Sequence, residues 1–344
     1  MRKTIRIRCI LILIVFALLA AGGIAAVLSS ADAFALSALS KGSGTENDPY
    51  LITTVNQLTN LQEISTSDLS EEYTKGKYFR LERDLATAYN NIFETNGFYG
   101  HLDGNGHTVR ILSKTGLFYR LAGDASITNL TVAVDLEVDY ALEFYGLVYL
   151  LDSNAVIDNC QMRGNINIDF SSWEKRTEYK GIYLYFGMFA IINNGTISNS
   201  SFQGTVTQPN LERFGSQSTI TGSIFAPSGN GKVVNCVSSG DVQLVVNAYS
   251  YSFSVFSASN KVINCNYTGN VSLTLAESIY VGVITRVFAI GRYAESGTFV
   301  GNIVFDYNNQ QTMNAARHYV GTSQNAGCEW NGNYEEINKF VKPQ

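Results

Sequence analysis

The chain has 344 residues, a formal charge of -5 and 45% hydrophobic but only 15% charged side chains. It carries no basic stripe of the kind that follows a phosphate backbone, which argues against nucleic acid as a partner. Four prolines, 30 glycines and abundant Asn, Ser, Thr, Ile, Val, Tyr and Phe read as short strands between tight bends, an all-β protein.

Residues 1–35 read as an export signal. Arg2, Lys3, Arg6 and Arg8 precede an apolar run from Cys9 to Leu28, and Ala33-Phe34-Ala35 offers a small-residue cleavage site, with Ala31-Asp32-Ala33 as an alternative. The other reading is an uncleaved anchor, because residues 9–28 are just long enough to span a bilayer, and that run would then be the chain's membrane contact. Cleavage removes four bases and Asp32, leaving a mature chain of about -8. The expected location is extracellular, secreted or at the cell surface.

Residues 36–75 read as a linker and an N-terminal cap. Val55, Leu58, Leu61 and Ile64 fall on one helical face, with Thr53 and Thr54 as candidate N-caps. Further on, Asp103 and His107 stand four apart in LDGNGH, but Asp and Asn beside two glycines read first as a turn.

Residues 76–310 contain a repeat. Asn129, Asn159, Asn199, Asn235 and Asn264 each follow an aliphatic residue and one spacer, at separations of 30, 40, 36 and 29 residues. Gly164, Gly204, Gly240 and Gly269 lie five residues after the last four. A second motif precedes each Asn: GLFYRL at 116, GLVYLL at 146, GMFAII at 187, SIFAPS at 223 and SVFSAS at 254. A unit of this kind has one inward row of side chains per strand, so it must stack on its copies to bury them.

The predicted fold is a parallel β-helix of about six coils. Stacking places Leu130, Cys160, Ser200, Cys236 and Cys265 in one inward column and Ile127, Ile157, Ile197, Val233 and Val262 in another. The asparagines tolerate the left-handed backbone at a sharp corner and form an amide ladder. Sandwiches and propellers also show regular short strands, but the uneven repeat lengths favour coils with loop excursions. Residues 311–344 read as a tail with a small C-terminal cap, a short amphipathic helix around Tyr334 to Val341.

Gly44-Thr45, Asp48-Pro49-Tyr50, Gln57-Leu58, Asp84-Leu85, Leu102-Asp103-Gly104-Asn105-Gly106-His107 and Gly116-Leu117-Phe118, taken in that order, resemble bacterial surface and secreted proteins of the GLUG-motif type. The similarity spans roughly residues 42–310. It implies a right-handed parallel β-helix and a surface scaffold of adhesin type. It implies no activity, and the later copies depart from the motif as SIF and SVF.

The candidates for chemistry are few. Cys160, Cys236 and Cys265 share one repeat position, which suits buried free thiols better than bridges. Their spacing, and that of Cys328, provides no metal-ligand pair, and no cofactor is expected. Asp135, Glu137 and Asp139 alternate with Val134, Leu136 and Val138 as a solvated face. The Asn-x-Ser/Thr triplets at Asn129, Asn194, Asn199, Asn266 and Asn270 read as chance products of an Asn- and Thr-rich repeat.

Trp173, Tyr179, Tyr183 and Tyr185 are the candidate ligand-binding residues. Tyr183 and Tyr185 alternate with Ile182 and Leu184, so inward aliphatics put the tyrosines outside, unless the excursion folds back over them. The expected function is therefore non-catalytic binding of a glycan or a surface protein. The alternative is a polysaccharide lyase or glycoside hydrolase on the same scaffold, which needs clustered carboxylates and a nearby base.

Overall fold

The computed structural model describes residues 41–89, 96–138, 143–168, 183–208, 219–246 and 250–275, and the strand segments 284–288, 291–299, 303–307, 328–330 and 334–338. The candidate leader at 1–35, and Trp173 and Tyr179, lie outside these residues. Among the described residues no helix is long and apolar enough to cross a membrane.

Every pairing between the described strands is parallel, and each strand pairs with the strand one repeat away. That is the arrangement of a coil stacked on its copies. Its first side is nine strands deep: Leu51, Arg80, Asp103, Thr128, Asp158, Ser198, Val234, Ile263 and Ser296 follow one another in register. The expectation of about six coils falls short, because the coils before residue 126 and after 275 lack the Asn motif by which copies were recognised.

The second side follows the corner asparagine, as in Gln161–Ile168 and Ser201–Gln208. A third side holds Glu143–Tyr145, Tyr183–Gly187, Thr219–Ser223, Ser250–Ser254 and Ile284–Phe288. The fourth is short, with Phe118–Leu121, Val148–Leu151 and Ala190–Asn193.

Period-2 alternation explains the core. Ile127, Ile157, Ile197, Val233 and Val262 are fully buried in one column, and Val109, Val132, Met162 and Phe202 line another. Each such side chain contributes roughly 1.5–3 kcal/mol by leaving water. The Gly-Leu-Phe strands add aromatic stacks inside: Phe98 lies on Phe118 at 4.6 Å and Phe189 on Phe225 at 4.5 Å, with the rings of each pair nearly parallel.

The motif copies are not all in register. Gly187 pairs with Tyr145 rather than Gly146. The chain takes five steps from Leu151 to Val156 but three from Asn193 to Thr196, so the bend absorbs the difference and the Asn corners stay aligned. Drift from Gly187 to Ser223 is tolerated because the Ser223 hydroxyl donates to the Phe256 carbonyl at 2.8 Å.

At the N-terminal end, helix α1 (Val55–Thr66) opens with a capping box: Thr54 accepts from the Gln57 amide while the Gln57 side chain accepts from the Thr54 amide. Leu58, Leu61 and Ile64 are buried, whereas Val55 at the helix start is 44% exposed. Gln62 ties the helix to the coils, donating to the Leu117 carbonyl and accepting from Thr87, both at 2.8 Å. The free edge of the first strand is met by the Lys41 carbonyl, which accepts from the Leu51 amide.

The C-terminal helix expected around Tyr334 to Val341 is instead a strand, Tyr334–Asn338, paired in parallel with Ile303–Tyr307. An exposed strand edge supplies backbone partners that override the weak local helical pattern.

Candidate functional site

The first cluster of polar chemistry is the corner between sides one and two. Asn129, Asn159, Asn199, Asn235 and Asn264 all have φ between 47° and 54°, the left-handed region that most side chains avoid. Each of the first four amide N–H groups donates to the carbonyl just before the next corner, from Asn129 to Asp158 through Asn235 to Ile263. The side chains stack as well. Asn159 donates to Asn129 at 2.7 Å, Asn235 to Asn199 at 3.3 Å and Asn264 to Asn235 at 2.9 Å.

The ladder is broken once. Asn199 donates to the Asp158 carboxylate at 2.6 Å rather than to Asn159, and Ser198 donates to the same oxygen. At the lower end Asn129 donates to Asp103, again a carboxylate. Both acids therefore terminate a run of amides.

Behind each asparagine lies the small-residue column, fully used in hydrogen bonding. The Cys160 amide donates to Ser200 Oγ at 3.0 Å, and the Cys236 amide to Cys265 Sγ at 3.4 Å. Leu130 and Ser200 amides bond in the same way to Cys160 and Cys236. Each of these heads in turn donates to the carbonyl two residues back, Ser200 to Ser198 at 2.7 Å and Cys236 to Val234 at 3.3 Å. The left-handed corner leaves one buried N–H per coil, and the thiol or hydroxyl above it is its acceptor.

All three described thiols are free and buried. Burial pushes the Cys160 pKa up to about 12. It also raises that of Cys236, with Cys265 adding to the effect. These are poor nucleophiles and poor metal ligands, since both roles need the thiolate. Cys328 lies on a described strand, with its side chain outside the described residues.

A second ladder, not recognised in the sequence, runs along the outside of side two where the Gly column ends. Asp135, Asn165, Thr205, Asp241 and Asn270 occupy one register position in five successive coils. Asp135 accepts from the Asn165 amide, Thr205 donates to Asn165 at 2.8 Å, and Asp241 accepts from both nitrogens of Asn270. Their only shared property in sequence is being short and polar just after the glycine position.

LDGNGH is a turn in the structure. Asn105 and Gly106 both have positive φ, and the Asn105 amide donates to Asp103. His107 turns away to Asp84 at 3.3 Å. The Thr108 amide, more than His107, holds the Asp84 carboxyl below its usual pKa.

Of the aromatic candidates, Tyr183 and Tyr185 lie on one strand of side three. Leu184 and Phe186 are buried and Tyr185 is half-buried, so Tyr185 faces outward; the Tyr183 side chain lies outside the described residues. The clearest surface aromatic pair is one the sequence reading passed over. Tyr119 and Tyr149 stack at 4.8 Å on side four, beside Arg120, which holds Asp152 through two hydrogen bonds at 3.0 and 2.8 Å. Because these rings face each other along the coil axis, their shared faces are already occupied.

Among the described residues no three His, Cys, Asp or Glu side chains converge on a metal-sized site. The exposed acids act singly instead, as ladder ends or as partners of one arginine, Asp135 with Arg110 and Asp152 with Arg120.

No family model matches the chain, and no curated protein matches it. Among solved structures it is similar to a protein provisionally named an immunoglobulin A1 protease from Bacteroides ovatus, at 14% identity over 86% of each chain and a TM-score of 0.49.

Proposed function

We propose that this chain is an exported, adhesin-like scaffold of the GLUG-motif type that acts by binding a glycan or a surface protein. Its coils wind right-handed, as parallel crossover connections do for steric reasons. The observation that carries the reading is the direction in which the exposed polar groups are used. Asp103, Asp135, Asp158 and Asp241 bond along the axis to the neighbouring coil, instead of meeting across a cleft. Glycoside hydrolysis needs two carboxylates roughly 5–9.5 Å apart around one bond. A rigid surface with its side chains fixed in place suits recognition, because little order remains to be lost on binding.

The test has two parts. The mature N-terminus is sequenced from culture supernatant and from membranes, and the secreted chain is put on glycan and surface-protein arrays beside a Tyr183→Ala, Tyr185→Ala double variant. Export with retained, saturable binding is the expected result, weakened in the variant if Tyr183 and Tyr185 form the contact. Release of soluble oligosaccharides from a polysaccharide would instead establish the carbohydrate-active reading.

A further inference from the structure

Buried polar groups are satisfied unevenly along the stack. Gln62 in helix α1 is fully buried and has a partner for each end of its amide. Gln208 is as deeply buried and has a partner for neither end. With Asn193, Ser238 and Ser254 it supplies every buried side-chain polar atom that lacks a partner among the described residues. All four lie in the coils of residues 183–208, 219–246 and 250–275. The described ion pairs that join neighbouring coils, His107 with Asp84, Arg110 with Asp135 and Arg120 with Asp152, all lie before them.

The middle of these three coils is also the thinnest. Gly222 stands in register between Phe186 and Phe253, and Ser238 between Phe202 and Tyr267. Two inward positions that are aromatic in both neighbouring coils therefore carry little or no side chain here. The neighbours lean in to fill the space. The rings of Phe186 and Phe253, two coils apart, come within 6.1 Å of each other, and a β-carbon on Gly222 would collide with Phe186. A β-carbon on Gly240 would collide with the Phe202 ring in the same way.

In a solenoid each coil touches only its neighbours, so stability is close to a sum of coil and interface terms, and the weakest layer decides where the stack opens. We infer that the coil of residues 219–246 is that layer: it opens together with the coil of residues 250–275 as one unit, while the coils before residue 169 stay closed. This goes beyond the binding reading above and does not depend on it. The cysteine column spans the boundary, with Cys160 on the closed side and Cys236 and Cys265 on the opening side, and all three thiols are free and buried.

Site-resolved alkylation reads that opening. The full secreted chain is treated with iodoacetamide, with urea added until all three thiols react. Each rate is divided by that of the same thiol in the unfolded chain, which cancels intrinsic reactivity. Three variants are compared, each checked for folding by circular dichroism. Ile127→Val opens a one-methyl cavity on the closed side. Gln208→Leu continues the column of Ile168 and Leu244, and Ser254→Ala removes a stranded hydroxyl without adding bulk.

The expected result is that Cys236 and Cys265 react together, at least about tenfold faster on this scale than Cys160, a factor equal to about 1.4 kcal/mol. Ile127→Val should hasten Cys160 about fivefold and leave the other two unchanged. Gln208→Leu and Ser254→Ala should each slow Cys236 and Cys265, the first at least about tenfold. Equal protection of all three thiols, or Ile127→Val hastening all three alike, would overturn the separate unit. Fast reaction of Cys236 alone would overturn it too, because the coil above would then have stayed closed. Unchanged rates in both Gln208→Leu and Ser254→Ala would overturn the assignment of the weak layer.

Discussion

The Asn corner and the interior of the coils between residues 193 and 254 handle buried polar groups in opposite ways. At the corner the amide, the amide side chain and the thiol or hydroxyl of each coil meet partners in the next one. In the interior, both amide atoms of Gln208, the hydroxyls of Ser238 and Ser254 and the side-chain oxygen of Asn193 are buried with no partner among the described residues. Gln208 sits in register with Leu244, and Ser238 between Phe202 and Tyr267. A polar residue is satisfied in a solenoid when its neighbours above and below carry the same task, and stranded when they are apolar. Even one position shows both outcomes: Ser223 finds the Phe256 carbonyl, but Ser254 one coil on has no acceptor among the described residues.

The largest expected effect probes how well the corner is sealed. A buried thiol with a raised pKa contributes stability that is fully present below its ordinary value of 9.0 and is lost as pH rises toward about 12. For Cys160 the loss by the end of that window is roughly 4 kcal/mol, at about 1.36 kcal/mol per pKa unit. Alkaline unfolding curves of the wild type and Cys160→Ser should therefore separate above pH 9, with the serine variant falling less steeply. Superimposed curves would mean that the thiol already meets water.

Replacing a corner asparagine comes next. Asn235→Val forces a β-branched side chain to φ 54° and removes two ladder bonds. The expected loss is about 3 kcal/mol in urea denaturation. Asn235→Gly should recover the backbone share of that loss and leave the ladder share, so the two variants separate the roles.

The interior predicts a gain. Gln208→Leu continues the apolar column and removes two stranded polar atoms, and should stabilise the chain by about 2 kcal/mol, seen as a raised denaturation midpoint. A drop on that substitution would show that Gln208 has a partner, and the contrast between corner and interior would fail at its main example. The smallest effect concerns Cys236. Cys236→Ser should cost less than about 1 kcal/mol, because Ser200 already does the same work one coil away. Cys236→Ala should cost more, since the Ser200 amide loses its acceptor.

The same contrast decides what could be read from the sequence. The Asn corner was legible because two demands, a left-handed backbone and a stacking amide, fall on one residue type, and the Cys/Ser column beside it was legible as an inward row. The reason those thiols recur was not, since it depends on an amide in the neighbouring coil. The Asp135 to Asn270 ladder was invisible because a water-facing position after glycine accepts Asp, Asn or Thr alike. Tyr334–Asn338 misled because Tyr334, Ile337 and Val341 have helical spacing, whereas the free edge of Ile303–Tyr307 dictates a strand. Of the aromatic candidates, Tyr185 is outward-facing as its alternation with Leu184 requires, but Tyr119 and Tyr149 were missed because their stacking is a property of the register between coils.

In a stack of parallel coils, distance follows coil number rather than sequence separation. Nitroxide pairs joining Arg110 to Gln203, Ser239 or Thr268 sample successive coils on the outside of side two. Pulsed electron paramagnetic resonance should give separations of about 14, 19 and 24 Å, an even rise of about 4.8 Å per coil, although the sequence steps between coils are unequal. Separations that grow unevenly, or that fail to grow from Gln203 to Thr268, would contradict the stacked coil.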